Sequence, residues 1–188
     1  MKQLVVGISG ASGAIYGIRM LEALKGRAES HLILSDMARQ TITEETSYRV
    51  AEVEGFASCV HNVHDLLAPI SSGSFRTDGM VIIPCSIRSL SGVTNSYNEN
   101  LMLRAADVTL KERRRLVLAV RECPLHTGHL RLMLQASEMG AIVFPPIPAF
   151  YHRPESLDDV INHTIGKILD LFDIEHTLFK RWEGGRRG

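Results

Sequence analysis

The sequence predicts a doubly wound, parallel α/β fold of Rossmann or flavodoxin type in a single domain, and three observations predict it. Short, almost wholly apolar runs recur along the chain: KQLVVGI (2–8), SHLILS (30–35), GMVIIP (79–84), RLVLAV (115–120) and AIVFPP (141–146). Stretches with helical spacing follow them, at 13–25, 36–46, 86–112, 127–139 and 155–172. Strands apolar on both faces belong to a parallel sheet covered by helices on each side. The third observation is the small-residue turn GISGASG (7–13) between the first strand and the first helix. Such a turn lets the backbone approach a ligand and leaves amides at the helix start open to an anion.

Each element follows from its residues. Strand 2–8 runs into the glycine turn, and AIYGIRMLEAL leaves it as a helix. Strand 30–35 ends at Ser35, with Asp36 opening the next helix. The cluster PISSGSFRTDG (69–79) reads as a functional loop ahead of strand 79–84. Strand 115–120 is the most apolar, and strand 141–146 ends in a run of prolines before helix 155–172. The domain is expected over 1–180, with 181–188 as a flexible tail.

Bulk properties exclude some classes of function. The 188 residues are 45% hydrophobic and 22% charged, ordinary for a globular protein. With 21 basic and 21 acidic residues the formal charge is zero, which gives no support to nucleic-acid or membrane binding. The local clusters KERRR (111–115) and RWEGGRRG (181–188) read as a solvated helix face and a tail. No run approaches the length of a membrane helix, and the start reads as a strand rather than a signal peptide. Cys59, Cys85 and Cys123 suggest neither a disulfide framework nor a zinc site, so a cytoplasmic location is expected.

In a doubly wound sheet, ligands bind beyond the carboxyl ends of the strands. Those ends supply Ser9, Gly10, Ala11 and Ser12; Ser35 and Asp36; PCSIRS (84–89); RECP (121–124); and PPIPAFYHRP (145–154). A dinucleotide fingerprint needs glycine where this chain has Ser9 and Ser12, and no P-loop lysine is present. Small hydroxyl residues suit a single phosphate or a flavin mononucleotide better than a pyrophosphate. Packing alone also explains some glycine-rich turns. Arg121 and Glu122 could serve proton transfer or form a structural ion pair. Arg104 and Lys111, two helical turns apart, can face one way and grip a phosphate or simply face solvent. The histidine pairs 61/64 and 126/129 lack a cysteine or carboxylate to complete a metal site.

Taken together, GISGASGAIYG, the SGS loop in APISSGSFRTDGM, the PCS after a strand, RECPLH and PAFYHRPESLDDV resemble the UbiX-like flavin prenyltransferases, over nearly the whole chain to Trp182. The resemblance implies a flavodoxin-like fold, a homododecamer, and a metal-independent transfer of a dimethylallyl group from dimethylallyl phosphate to N5 and C6 of reduced FMN. The product, prenylated FMN, serves a UbiD-type decarboxylase. On this chain the FMN contacts implied are Gly10, Ala11, Ser12, Ser35, Ser86, Ile87, Arg88, Ser89 and Arg121. The prenyl phosphate falls to Arg104, Lys111, Arg121, Tyr151 and Lys167, with Ser72 helping to close the site. Glu122 is the proton-handling carboxylate, with Ser12 and Lys111 also placed in the catalytic set.

Two departures stand out: PCSIRS replaces the PCS-M-K-T of many relatives, and Lys167 stands where many have arginine. Lysine holds phosphate as a point charge without the bidentate fork. Two other readings compete. Flavin-dependent cysteine decarboxylases share the fold, but their PASANT-like and P-x-M-N stretches are missing here. The runner-up is a non-catalytic FMN-binding or storage subunit of an aromatic acid decarboxylase.

Overall fold

Side-chain alternation along the strands decides the architecture. The computed structural model describes residues 1–181. Trp182 and the rest of the expected tail lie outside the described residues. Arg181, the first tail residue, makes a two-pronged pair with Asp170, at 2.6 and 3.1 Å.

The elements run β1 (Lys2–Ile8), α1 (Ala14–Leu24), β2 (Ala28–Leu34), α2 (Asp36–Glu45), α3 (Val50–Glu54), β3 (Cys59–His61), a 3-10 turn (Pro69–Ser71), β4 (Gly79–Cys85), α4 (Ile87–Thr94), α5 (Leu101–Lys111), β5 (Arg115–Val120), α6 (Thr127–Glu138), β6 (Ile142–Val143) and α7 (Leu157–Leu171). All strand pairings are parallel, in the order β3-β2-β1-β4-β5-β6. The winding reverses between β1 and β4, and the crevice there is where such sheets bind ligands.

The two faces of the sheet bury different halves of each strand. Leu4, Val6, Ile8, Leu32, Leu34, Val81 and Ile83 pack with α1, α2 and α7, through Ile18, Leu21, Leu24, Ile42, Ile165 and Leu169. Val5, Ile33, Met80, Ile82, Leu116 and Leu118 pack with α4, α5 and α6, through Leu90, Leu101, Met102, Ala106 and Ala136. Each fully buried Leu or Ile contributes about 1.5–3 kcal/mol. This core fixes the sheet against which every loop of the site is set.

Several expectations need correction. The single helix expected over 86–112 is two helices: Asn95 ends α4, Tyr97 N donates back to Gly92 O, and Asn100 caps α5 by accepting from Leu103 N. Asn100 before an apolar-periodic run is a helix-start signal. The short strand β3 and helix α3 were not expected. Strand β6 is two residues long, because the prolines that follow cannot donate to a ladder. Among the described residues, no helix is long and apolar enough to cross a membrane.

Candidate functional site

At the reversal point three helix starts face one cavity of about 400 Å³, within the range of about 300–1,000 Å³ typical of small-molecule sites. Helices α2, α4 and α5 begin there, capped by Ser35, Ser86 and Asn100, whose side chains accept from Ala38 N, Ser89 N and Leu103 N. Amino-terminal helix ends favour an anion. Ser9 ties the floor together: its hydroxyl donates to Pro84 O at 2.7 Å and accepts from Ser86 N at 2.8 Å. Met37, Val63, Met102 and Leu103 supply apolar wall. The polar side chains at the mouth are paired, Arg88 with Glu99 at 2.9 Å and His64 Nε2 with Asp36 Oδ2 at 3.1 Å.

Of the residues expected at FMN, Gly10, Ser35, Ser86, Arg88 and Ser89 line this cavity. Ala11 is buried in the adjoining turn, and Ile87, the first residue of α4, packs into the core beneath. Hydroxyls and helix starts over an apolar wall suit a phosphate joined to a flat ring, so the residues present fit a flavin mononucleotide. Cys85, at the end of β4, has its thiol pushed up to about 12 by burial, which leaves it inert as a nucleophile.

The glycine turn has two explanations, one for each half. A Cβ on Gly10 would lie 2.3 Å from Met37 Cβ, so packing requires glycine there. Gly13, with φ of 97°, turns the chain into α1. The anion expected at the start of α1 is the chain's own Glu45, whose carboxylate accepts from Gly13 N at 2.7 Å and Ala14 N at 3.2 Å. Partial burial pushes the Glu45 pKa upward. Hydrogen bonds from the Ser12 side chain and those two amides, with the charge of Arg121, outweigh it and hold the group below its usual value. Sequence reading missed Glu45, because it lies a whole βα unit away from the turn it caps.

Beyond β5, Arg121 and Glu122 do not form the ion pair that was one reading of them. Arg121 Nε donates to Ser12 O at 3.2 Å, and Glu122 accepts from Cys123 N at 3.1 Å. Ser12, Glu45 and Arg121 therefore make one polar group beside the β1 turn, while the Glu122 side chain folds back onto its own loop.

The remaining expected residues form two further groups. Arg104 donates from Nε to Ser71 O at 3.0 Å and pairs with Asp107 at 3.1 Å. Lys111 pairs with Glu112 beside Gly73. Arg114 clamps the same loop, donating to Gly73 O at 2.7 Å and Phe75 O at 2.8 Å. The loop bearing Ser72 is thus docked along α5, on the face that carries Arg104 and Lys111. Lys111 lies about 10 Å further along the helix than Arg104.

In the last group, Tyr151 Oη and His163 Nε2 are 2.8 Å apart, and Lys167, one turn on from His163, acts on that histidine through its charge. Among the described residues, the cavity lining includes none of Arg104, Lys111, Tyr151 or Lys167.

The chain matches the family described as Flavoprotein over residues 1–179. It is 60% identical over 183 residues to the flavin prenyltransferase UbiX of Thauera aromatica, covering 97% of this chain and 94% of that one. It is 47% identical to a solved UbiX (PadA1) in complex with FMN and dimethylallyl pyrophosphate, with a TM-score of 0.97 over 98% of this chain and 99% of that one. A dodecameric FMN-dependent UbiX-like decarboxylase from Escherichia coli O157:H7 is 48% identical, with a TM-score of 0.94 over 97% and 100%.

Proposed function

We propose that this chain, which belongs to the UbiX family of flavin prenyltransferases, joins a dimethylallyl group from dimethylallyl phosphate to N5 and C6 of reduced FMN. The observation that carries the reading is the cavity at the β1/β4 reversal, with its three helix starts and apolar wall, set beside Ser12, Glu45 and Arg121. Reduced FMN supplies the electron-rich positions that receive the prenyl group, and Gly10, Ser35, Ser86, Ile87, Arg88 and Ser89 hold it.

The chain's own task is to stabilise the phosphate as its bond to the prenyl carbon breaks. Arginine, lysine and tyrosine donors meet the charge that develops on the leaving oxygen. Arg121 supplies that charge from within the chain. Arg104, Lys111, Tyr151 and Lys167 reach the site from neighbouring copies in a homo-oligomer, and Ser72 helps to close it. The exposed apolar side chains around Tyr151 support such contacts, with Ile147 at 76%, Phe150 at 72% and Leu157 at 72% exposure.

A proton is released when the second bond, at C6, is made. Glu122 takes it, and Glu45, hydrogen-bonded to Ser12 and held ionised, is a second carboxylate able to do so. The prenylated flavin then passes to a UbiD-type decarboxylase, in a cytoplasmic setting.

Anaerobic incubation of the pure protein with reduced FMN and dimethylallyl phosphate tests the reading through the mass of the flavin. A gain of one prenyl unit is expected, and Glu122→Gln should keep FMN but slow the reaction about 10²–10⁴-fold, the usual contribution of general acid–base catalysis. FMN bound with an unchanged mass would sink the proposal and favour a flavin-storage subunit. Supplying the pyrophosphate ester in parallel identifies the preferred donor.

A further inference from the structure

The parallel pairing of β2 with β3 places His31 opposite Cys59 and Ile33 opposite His61. Partners and next-but-one neighbours share a face, so His31, Cys59 and His61 project together on the side that packs against α5. Their donor atoms all lie within 4.8 Å of one another, and His31 Nδ1 is 3.0 Å from His61 Nε2. We propose that these three side chains bind one thiophilic transition-metal cation of the Zn²⁺ class, with the fourth coordination position open to water.

The chemistry of the set selects that class. A thiolate with two imidazoles suits zinc and copper rather than calcium or magnesium. Zinc–nitrogen and zinc–sulfur bonds of about 2.0–2.1 and 2.3 Å in a tetrahedron need ligand atoms about 3.4–3.6 Å apart, so the atoms need only small adjustments.

The surroundings are those of a built site. His31 is 5% exposed, and its Nε2 has no hydrogen-bond partner. That nitrogen lies 3.5 Å from Glu29 Oε1, while Glu29 Oε2 accepts from Gln3 Nε2 at 2.9 Å. A carboxylate behind a ligating histidine is the arrangement that orients the ring and raises its basicity. The ring of Phe75 packs edge-on against His31 at 5.2 Å. Ser30 and Ser58 exchange hydrogen bonds at 3.1 Å, which pins the start of β3 to β2. A bound cation would fix the three-residue strand β3, whose continuation, Val63 and His64, walls the flavin cavity.

The test uses untagged, chelator-stripped, full-length protein titrated with Co²⁺ and then with Zn²⁺ against a chromophoric chelator. One equivalent per chain is expected, with a near-ultraviolet thiolate-to-cobalt band and tetrahedral d–d bands that Zn²⁺ displaces. Cys59→Ser should abolish the thiolate band and lower Zn²⁺ affinity at least tenfold. Glu29→Gln should lower it about tenfold while keeping the band. Zn²⁺ should raise the melting temperature of the parent protein but not of Cys59→Ser. FMN binding by each variant verifies its folding. Absence of the band in the parent protein, or undiminished one-to-one binding in Cys59→Ser, overturns the site. If Cys59→Ser does not fold, the cobalt spectrum of the parent and the Glu29→Gln affinity decide the matter alone.

Discussion

Gly17 sits one turn inside α1, where that helix presses on β1 and β4. A Cβ built there lies 2.6 Å from Ile83 O and 2.6 Å from Ile8 Cδ1. Two effects of Gly17→Ala oppose one another. Alanine in a helix interior is favoured over glycine by about 1 kcal/mol. Overpacking a core costs about 1–3 kcal/mol, and the higher part of that range applies, since the Ile83 carbonyl belongs to a central strand and cannot rotate away. The net loss is about 1–2 kcal/mol, a fall of about 2–8 °C in melting temperature for a chain of this size.

Gly92→Ala supplies the control. It makes the same propensity gain, but its Cβ meets Leu103 Cδ1 at 2.6 Å and Cδ2 at 2.9 Å, the ends of a side chain that can turn. Thermal and urea melts of both variants, at fixed protein and FMN concentration, compare them directly. Gly17→Ala should melt clearly below Gly92→Ala. It should also bind FMN more weakly, because displacing α1 displaces the 9–13 turn beside the cavity. A Gly17→Ala protein as stable as the parent would refute the argument that backbone contact, not helix propensity, dictates this glycine.

Further outcomes are expected from the same geometry. Glu45→Gln removes the charge at the start of α1 and should cost about 0.3–1 kcal/mol at pH 7, toward the lower end because Glu45 is exposed to screening solvent. Its folded pKa is depressed, so the contribution is full above the unfolded value near 4.5 and fades as pH falls through the folded one. Urea melts should show the gap between parent and variant narrowing below that pH, and a constant gap would rule the charge out as its cause. Ser86→Ala removes the cap of α4 and should cost about 1 kcal/mol, with weaker FMN binding by fluorescence titration. An unchanged FMN affinity would remove Ser86 from the flavin site. His31, His61 and His163 all have folded pKa values lowered chiefly by burial. The unfolded chain therefore takes up protons first, and stability should fall as pH drops from about 7 through the unfolded histidine value near 6.5. A urea midpoint that stays level between pH 7.5 and 5.5 would contradict this.

Five of the six strands and most of the helices were legible in the sequence, because strands buried on both faces must be apolar throughout and amphipathic helices must cover them. The sequence also determined the residues at the strand ends, since a parallel sheet sends every carboxyl end to one edge. Gly10, Ser35, Ser86, Arg88 and Ser89 could be placed at one cavity for that reason. The break at Asn95–Asn100 was legible too, had the cap before Leu101 been weighed against the longer periodic run.

The pairings between segments distant in sequence came from the folded packing alone. Glu45 closes the start of α1 across a whole βα unit. Arg121 turns to Ser12 O rather than to its neighbour Glu122. The β2–β3 register brings His31 to Cys59 and His61, 28 and 30 residues later. Local spacing carries no information about such contacts, because sheet register and helix packing, set by the burial of the core, choose which side chains meet.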